Sequence, residues 1–118
     1  MSLHLEARRE GAVRVLVLEG EMDAQTVGPF DQEMEACLAK GDVRIVLDCR
    51  ALSFIASAGL GVLMGVLGPI QDAGGTIVLA GVRAEVRRTF DLLDFSVLFP
   101  FADDVTAAIR LAAEGARE

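Results

Sequence analysis

The sequence contains no tryptophan and no tyrosine, so phenylalanine, with six copies, is its only large aromatic residue. Hydrophobic residues nevertheless make up 53% of its 118 residues, and the core is therefore expected to be aliphatic. Basic residues are also scarce, since 11 lysines and arginines stand against 18 acidic residues, a formal net charge of −7. Nucleic acid and anionic lipid both attract a basic protein face. The charge balance argues against either as a partner.

Side chains that carry enzymatic chemistry are few. His4 is the only histidine and lies near the N terminus, so a Ser–His–acid triad is not expected. The sequence has neither metal-ligand spacing nor a phosphate-binding loop. Cys37 and Cys49 stand in apolar surroundings without a C-x-x-C pair, which favours reduced core thiols in a cytoplasmic protein. We expect a binding module rather than an enzyme, with no catalytic residue, cofactor or metal.

One uncharged stretch, residues 51–71, is long enough to cross a bilayer. It includes two serines, four glycines and Pro69, and no cluster of lysine and arginine flanks it on one side. The first ten residues carry charges of both signs and no apolar run, so no secretory signal is expected. We predict a soluble, cytoplasmic chain without membrane insertion.

Apolar periodicity predicts one α/β domain over residues 1–118, with an open mixed sheet of four to five strands covered by about four helices. A strand–helix–strand unit with short loops in the middle of the chain predicts parallel pairing. The predicted strands are residues 3–8, 12–19, 43–47, 76–80 and a short edge strand at 95–99. We expect Gly20 to end the second strand and Asp48 the third.

The predicted helices show apolar stripes and end signals. The first begins after an N-cap at Thr26 and ends at Lys40 and Gly41, a cation followed by a glycine suited to a left-handed cap. The second, residues 58–71, is apolar nearly all round and should be mostly buried. A third stripe spans residues 82–93, and Asp103 is predicted to cap the last helix. The expected buried stripes are Phe30, Met34, Cys37 and Leu38; Val82, Val86, Phe90 and Leu93; and Val105, Ala108, Ile109 and Ala112.

Ser57 falls where the second helix is predicted to begin, and two interpretations of it stay open. Its hydroxyl oxygen could cap the helix by accepting a hydrogen bond from a free backbone N–H. The same helix end offers unpaired N–H groups and partial positive charge, which suit a phosphate. A phosphoserine there would add a charge of about −1.5 to −2 to an apolar surface and disrupt a partner interface.

Glycines at positions 59, 61 and 65 lie where a predicted strand is followed by the start of the second predicted helix, as in a dinucleotide-binding fingerprint. That fingerprint also needs an acidic residue at the end of the next strand, where this chain has Leu79, Ala80 and Gly81. Close packing of the helix on the sheet therefore explains these glycines better than nucleotide binding does.

Two motifs resemble those of STAS domains of the anti-sigma-factor antagonist type. Members of that family carry Asp-Ser-Ser-Gly-Leu-Gly at the start of an apolar helix and Gly-Glu-hydrophobic-Asp after the second strand. The corresponding residues here are Ala56-Ser57-Ala58-Gly59-Leu60-Gly61 and Gly20-Glu21-Met22-Asp23. The resemblance extends over essentially the whole chain and implies a STAS-like fold with the element order given above.

The resemblance also implies a function. In the family, the unphosphorylated domain binds a serine-kinase anti-sigma factor and frees a sigma factor, the kinase then phosphorylates one serine, and a phosphatase resets the system. Ser57 corresponds to that phosphoacceptor, and ATP belongs to the kinase. The implied partner-binding residues are Asp23, Ala56, Ser57, Ala58, Gly59 and Leu60.

This chain departs from the family pattern on both sides of Ser57. Ala56 replaces the acidic residue, which removes a charge and a hydrogen-bond acceptor, and Ala58 replaces the second serine. The alternative is therefore a divergent, non-phosphorylated STAS adaptor subunit in a signalling or transporter complex.

Three further expectations concern the surroundings of this segment. Asp23 caps the turn into the first helix, contributes to the partner face, or does both. Asp48 is interpreted as a strand-end residue that accepts hydrogen bonds from neighbouring loop N–H groups. An exposed edge near Leu98, or the apolar surface beside Ser57, could support a weak homodimer.

Overall fold

A computed structural model describes residues 2–115. Its five strands form one sheet in the order β1-β2-β3-β4-β5, in which β1 is antiparallel to β2 and the other neighbours are parallel. The predicted α/β class, mixed sheet and four helices are confirmed. The elements are β1 (Leu3–Glu10), β2 (Val13–Met22), α1 (Val27–Lys40), β3 (Arg44–Ile55), α2 (Ser57–Asp72), β4 (Thr76–Ala80), α3 (Ala84–Leu92), β5 (Phe101–Ala102) and α4 (Val105–Gly115).

The sheet has a core on each face because side chains alternate along its strands. In β2, Leu16 and Leu18 pack with α1, α2 and α3, whereas Val13 and Val15 pack with α4. The predicted buried residues of α4 are confirmed, with Ile109 partly buried. The three-helix side holds the larger core, and α4 alone covers the other side.

Helix α1 follows its predicted pattern. Phe30, Met34 and Cys37 are buried, and Gly41 adopts the left-handed conformation at φ 78°. Cys37 and Cys49 are free and buried, as predicted. Burial raises the pKa of both thiols, to about 12 for Cys49.

Strands β2 and β3 are longer than predicted. β2 continues through Gly20, and β3 continues seven residues beyond Asp48. Val17 lies opposite Asp48 but Glu19 lies opposite Ala51, and a second shift of one residue follows Gly20. These β-bulges absorb extra residues in β3, so its apolar alternation is interrupted without the strand ending.

The end of the sheet also differs from prediction. Residues 95–99 form turns rather than an edge strand, with the Leu98 N–H donating to the Phe95 carbonyl, and β5 begins only after Pro100. The expected edge near Leu98 is therefore wrong. Asp104, not Asp103, caps α4, because its carboxylate accepts a hydrogen bond of 2.8 Å from the Ala107 N–H.

The apolar stripe of α3 is only partly buried. Val86 and Phe90 are buried, but Leu93 is 49% exposed because the helix ends at Leu92. Val82 precedes the helix and is half-buried.

Helix α2 is buried on one side only, contrary to the prediction. Leu60, Leu63 and Ile70 face the core, while the opposite side exposes three glycines at positions 61, 65 and 68, together with Met64. Glycine counts as apolar in a sequence pattern but adds little apolar area to the surface, so an all-apolar helix can still face water. Within residues 2–115, no helix is long and apolar enough to span a membrane.

Candidate functional site

Two loops meet at the carboxyl ends of β2 and β3, because these strands run parallel and end side by side. Met22 lies opposite Ile55 at the end of the register. The Ala56 N–H donates a hydrogen bond of 2.8 Å to the Met22 carbonyl. Asp23 follows Met22 directly and Ser57 follows Ala56. The structure thus places the two loops that the family motifs single out next to one another.

The bulges of β3 are held by side chains. At the first bulge, Asp48 accepts hydrogen bonds from the Arg50 N–H (3.2 Å) and from the Arg50 guanidinium (2.9 and 2.7 Å). At the second, the Ser53 hydroxyl donates to the Gly20 carbonyl at 3.0 Å. Asp48 therefore does bond a neighbouring N–H, as predicted, but inside the strand rather than at its end.

The bulges set which residues of β3 face the core near the site. After the two shifts, Leu52 and Ile55 are buried and Phe54 is 44% exposed. Ile55 then lies beneath α2. The hydrogen bonds of Asp48 and Ser53 therefore help to fix where β3 ends and the Ser57 loop begins.

Ser57 is the first residue of α2, so the interpretation of Ser57 as its N-cap is wrong. Ala56 occupies the cap position in an extended conformation, and its carbonyl accepts hydrogen bonds from the N–H groups of Gly59 and Leu60. Alanine has no side-chain acceptor, and α2 has no side-chain cap. The N–H groups of Ser57 and Ala58 have no acceptor within the helix, as in any first turn. The Ser57 side chain is exposed beside them.

The electrostatic setting of Ser57 favours an anion. The first turn of α2 has no acidic residue, and the helix end carries partial positive charge. The carboxylate of Asp23, on the adjacent loop, is engaged with its own turn, where it accepts from the N–H groups of Gln25 (2.9 Å) and Thr26 (3.0 Å).

Thr26 occupies the N-cap position of α1, as predicted, but its side chain makes no capping hydrogen bond. Its hydroxyl donates to the Glu21 carbonyl at 2.8 Å and accepts from the Asp23 N–H at 2.9 Å. The predicted capping role of Asp23 in the turn is confirmed. The Thr26 and Asp23 side chains together lock the loop beside Ser57.

The other predicted partner-binding residues form two groups, one at the surface and one packed beneath it. Ala56 and Ala58 are partly exposed, whereas Gly59 and Leu60 are buried. A Cβ at Gly59 would lie 2.6 Å from Met22 Sδ and 2.9 Å from Ile55 Cγ1, so the packing interpretation holds there. It is wrong for Gly61 and Gly65, where a Cβ would meet nothing within 4 Å.

Sequence reasoning missed the outward face of α2. Gly61, Met64, Gly65 and Gly68 follow Ser57 at helical spacing and are exposed. Their spacing of three or four residues was the available signal, but glycines in an apolar helix are ordinarily assigned to packing. The result is a flat, uncharged strip along the helix that begins at Ser57.

The site can bind an anion and present a hydroxyl group for modification. Within residues 2–115, no three histidine, cysteine, aspartate or glutamate side chains cluster as a metal site would require. The chemistry of the site rests on one exposed hydroxyl, free backbone N–H groups and an uncharged helix start beside the Asp23 carboxylate.

Comparison with known proteins identifies the family. The STAS domain model matches residues 4–108, which is most of the chain. The chain belongs to the STAS domain family. A relative from Bordetella bronchiseptica, BtrV, is named as an anti-sigma factor antagonist; it is 32% identical over 94 residues, which cover 80% of this chain and 81% of BtrV.

Solved structures share the fold. A Thermotoga maritima protein described as an anti-sigma factor antagonist superposes with a TM-score of 0.86 at 22% identity, over 93% of this chain and 95% of that one. The Bacillus cell fate determinant SpoIIAA, in its phosphorylated form, gives a TM-score of 0.70 at 23% identity, over 92% and 98% of the two chains.

Proposed function

We propose that this chain, acting as one cytoplasmic domain, is an anti-sigma-factor antagonist controlled by phosphorylation. It binds a serine-kinase anti-sigma factor, which releases a sigma factor, and phosphorylation of Ser57 by that kinase ends the complex until a phosphatase resets it. The chain itself performs no catalysis. The observation that carries the proposal is an exposed Ser57 hydroxyl on the uncapped first turn of α2, in a STAS domain.

The physical case begins with the phosphate. A phosphoryl group on Ser57 lies at a helix N terminus, where free N–H groups and the helix dipole stabilise it. It also places a charge of about −1.5 to −2 on a surface of alanines and glycines. A partner that has buried this neutral surface would have to desolvate the phosphate, so the complex is expected to dissociate.

The proposed docking surface follows the exposed residues of the site. It comprises the Asp23 loop, Ala56, Ser57 and Ala58, and it continues along the exposed glycine strip of α2. Gly59 and Leu60 support this surface from beneath rather than touching the partner. Because Asp23 already accepts two backbone hydrogen bonds, its contribution to binding is to hold the loop in place.

The relatives support the proposal. BtrV is named for antagonism of an anti-sigma factor, and SpoIIAA, which shares the fold, exists in a phosphorylated form. Because alanine stands at positions 56 and 58, the cognate kinase must recognise the Ser57 segment without a carboxylate on the residue before the serine.

Intact-mass measurement tests the phosphoacceptor. After incubation with the cognate serine kinase and ATP, the native chain is expected to gain one phosphoryl group and Ser57→Ala none. Ser96→Ala is the matched control, since Ser96 is partly exposed in the turns after α3 and its hydroxyl bonds the Asp91 carboxylate; it should be phosphorylated like the native chain. An unmodified native chain, or an equal gain in Ser57→Ala, overturns the proposal.

The replacement of both neighbours of Ser57 by alanine favours one other function, that of a constitutive STAS adaptor in a signalling or transporter complex. Pull-down with the native chain and with Ser57→Glu separates the two. An adaptor recovers the same sensor or transporter complex with both baits, whereas a switch loses its kinase partner with the acidic variant.

A further inference from the structure

The outer edge of β1 is a second interaction surface, remote from Ser57. β1 is an eight-residue strand at the end of the sheet, and in the described part of the chain it pairs only with β2. The Glu21 N–H donates to the Ser2 carbonyl at 2.8 Å, which makes that position a hydrogen-bonded pair. Because such pairs alternate in an antiparallel ladder, the backbone groups of Leu5, Ala7 and Arg9 point outward.

The side chains of this strand are sorted by face. His4, Glu6, Arg8 and Glu10 are exposed on one face, where adjacent pairs contact each other at 3.1 and 2.9 Å. Leu3 and Leu5 pack against the larger core on the other face. Two acidic and two basic residues make β1 neutral, although the whole chain has a net charge of −7.

We propose that a second copy of this chain pairs antiparallel with β1 about a two-fold axis at Ala7. In this register Glu6 lies opposite Arg8 of the other copy, and His4 lies opposite Glu10. Symmetry makes each contact twice, so all exposed charges on this face meet an opposite or neutral partner. Opposite charges across strands stabilise a pair, and like charges destabilise it.

The neighbouring registers lack this complementarity. A two-fold axis perpendicular to the sheet keeps each face on its own side, so the register changes only in steps of two. One step places Glu6 opposite Glu6, and the other places Arg8 opposite Arg8. Charges on an edge strand usually prevent pairing, but here their order permits one register.

The backbone and the core-side residues fit the same register. Ala7 forms a hydrogen-bonded pair with its symmetry mate, and Leu5 forms one with Arg9 of the other copy, which gives six backbone hydrogen bonds. Arg9 is held on the core side by Asp42, with both carboxylate oxygens at 2.8 Å. The aliphatic stem of Arg9 can then cover the half-buried Leu5 of the second copy.

The dimer leaves the Ser57 site free. The Leu3 end of β1 lies beside Gly20, near the site, and pairs with the opposite end of β1 in the second copy. The two Ser57 loops therefore lie at opposite ends of a ten-stranded sheet. The proposal does not depend on phosphorylation or on the identity of the partner.

Sedimentation velocity over a range of concentrations tests the dimer. Glu6→Arg and Arg8→Glu each create two like-charge contacts and should raise the dimer dissociation constant roughly tenfold. Mixing the two variants restores opposite charges and should yield a heterodimer, and the double variant should dimerise again. Glu85→Arg and Arg88→Glu, exposed on α3, are the charge-matched controls and should dimerise like the native chain.

A backbone variant provides an independent test. Ala7→Pro removes the outward N–H at the axis, and proline is tolerated on an edge strand. It should fold, as circular dichroism would show, yet sediment as a monomer. A native chain that is monomeric at every concentration overturns the proposal. So does a dimer that all the β1 variants leave unchanged, which would point to another surface, such as the exposed Leu92–Leu98 segment.

Discussion

At the scale of single residues, Asp48 stands out because it is the one charged side chain found buried in residues 2–115. It lies inside the sheet, away from solvent, and its carboxylate is fully used by Arg50 at a bulge. The hydrogen bond from the Arg50 guanidinium is the main reason that the pKa of Asp48 is lowered. Asp48 therefore has a structural role, since it pairs the backbone N–H that the bulge exposes.

Asp48→Ala is expected to lower the free energy of unfolding by about 1–3 kcal/mol, because the bulge N–H loses its acceptor. Asp48→Asn keeps an acceptor oxygen and should cost less. Urea titration at neutral pH measures both. Equal stability of Asp48→Ala and the native chain would show that the bulge does not need the carboxylate.

The lowered pKa of Asp48 also predicts a pH dependence. Its unfolded value is near 4, so the charged carboxylate stabilises the fold above about pH 4, and this contribution is lost as pH falls through the lower folded value. The Asp48→Asn variant has no carboxylate at this position and therefore shows no such loss. Between about pH 5 and pH 2, the variant's unfolding free energy should therefore fall less than that of the native chain, and parallel curves would contradict this assignment.

At the scale of elements, the glycines of α2 have opposite roles. Gly59→Ala forces a Cβ against buried Met22 and Ile55, and should destabilise the protein by about 1–3 kcal/mol. Gly65→Ala adds a methyl group to open space in a helix interior and should stabilise it by about 0.5–1 kcal/mol. Chemical denaturation of the two variants measures the difference. Destabilisation by Gly65→Ala would contradict an exposed, unpacked glycine strip.

The accuracy of the sequence-based prediction also varies by element. The predicted bounds of β4 agree with the structure because its short, mainly apolar run lies between glycines, with Gly74 and Gly75 before it and Gly81 after it. β3 was cut short because Asp48 and Arg50 interrupt its apolar pattern, and a bulge depends on pairing with another strand, which no local pattern records. The exposure of α2 was missed because hydropathy does not distinguish a buried glycine from a flat surface.

At the scale of the whole molecule, parallel pairing of β2 and β3 is what brings the Asp23 and Ser57 loops together. The strand order was predictable in part, since a strand–helix–strand unit implies parallel neighbours. The importance of Ser57, by contrast, came from its resemblance to a family motif, because a serine at a helix start is commonly only a cap. Its place in the first turn, with Ala56 at the cap, required the structure.

The molecule as a whole has two separable surfaces. The site at the carboxyl end of β2 and β3 combines an uncharged helix start with the Asp23 carboxylate, and a phosphate would add negative charge to it. The β1 edge is charged but balanced, and it runs along the opposite side of β2 from β3. A dimer through β1 would present two copies of the Ser57 site at once, and each surface can be changed by substitutions that leave the other in place.

The central claim is that phosphorylation of Ser57 controls binding, and calorimetric titration of the cognate anti-sigma factor tests it most directly. The unphosphorylated chain should bind, and the chain phosphorylated at Ser57 should bind at least about tenfold more weakly, a change of about 1.4 kcal/mol. Ser57→Ala should bind like the unphosphorylated chain and stay unaffected by prior incubation with kinase and ATP. Equal affinity of the phosphorylated and unphosphorylated chains would contradict the account.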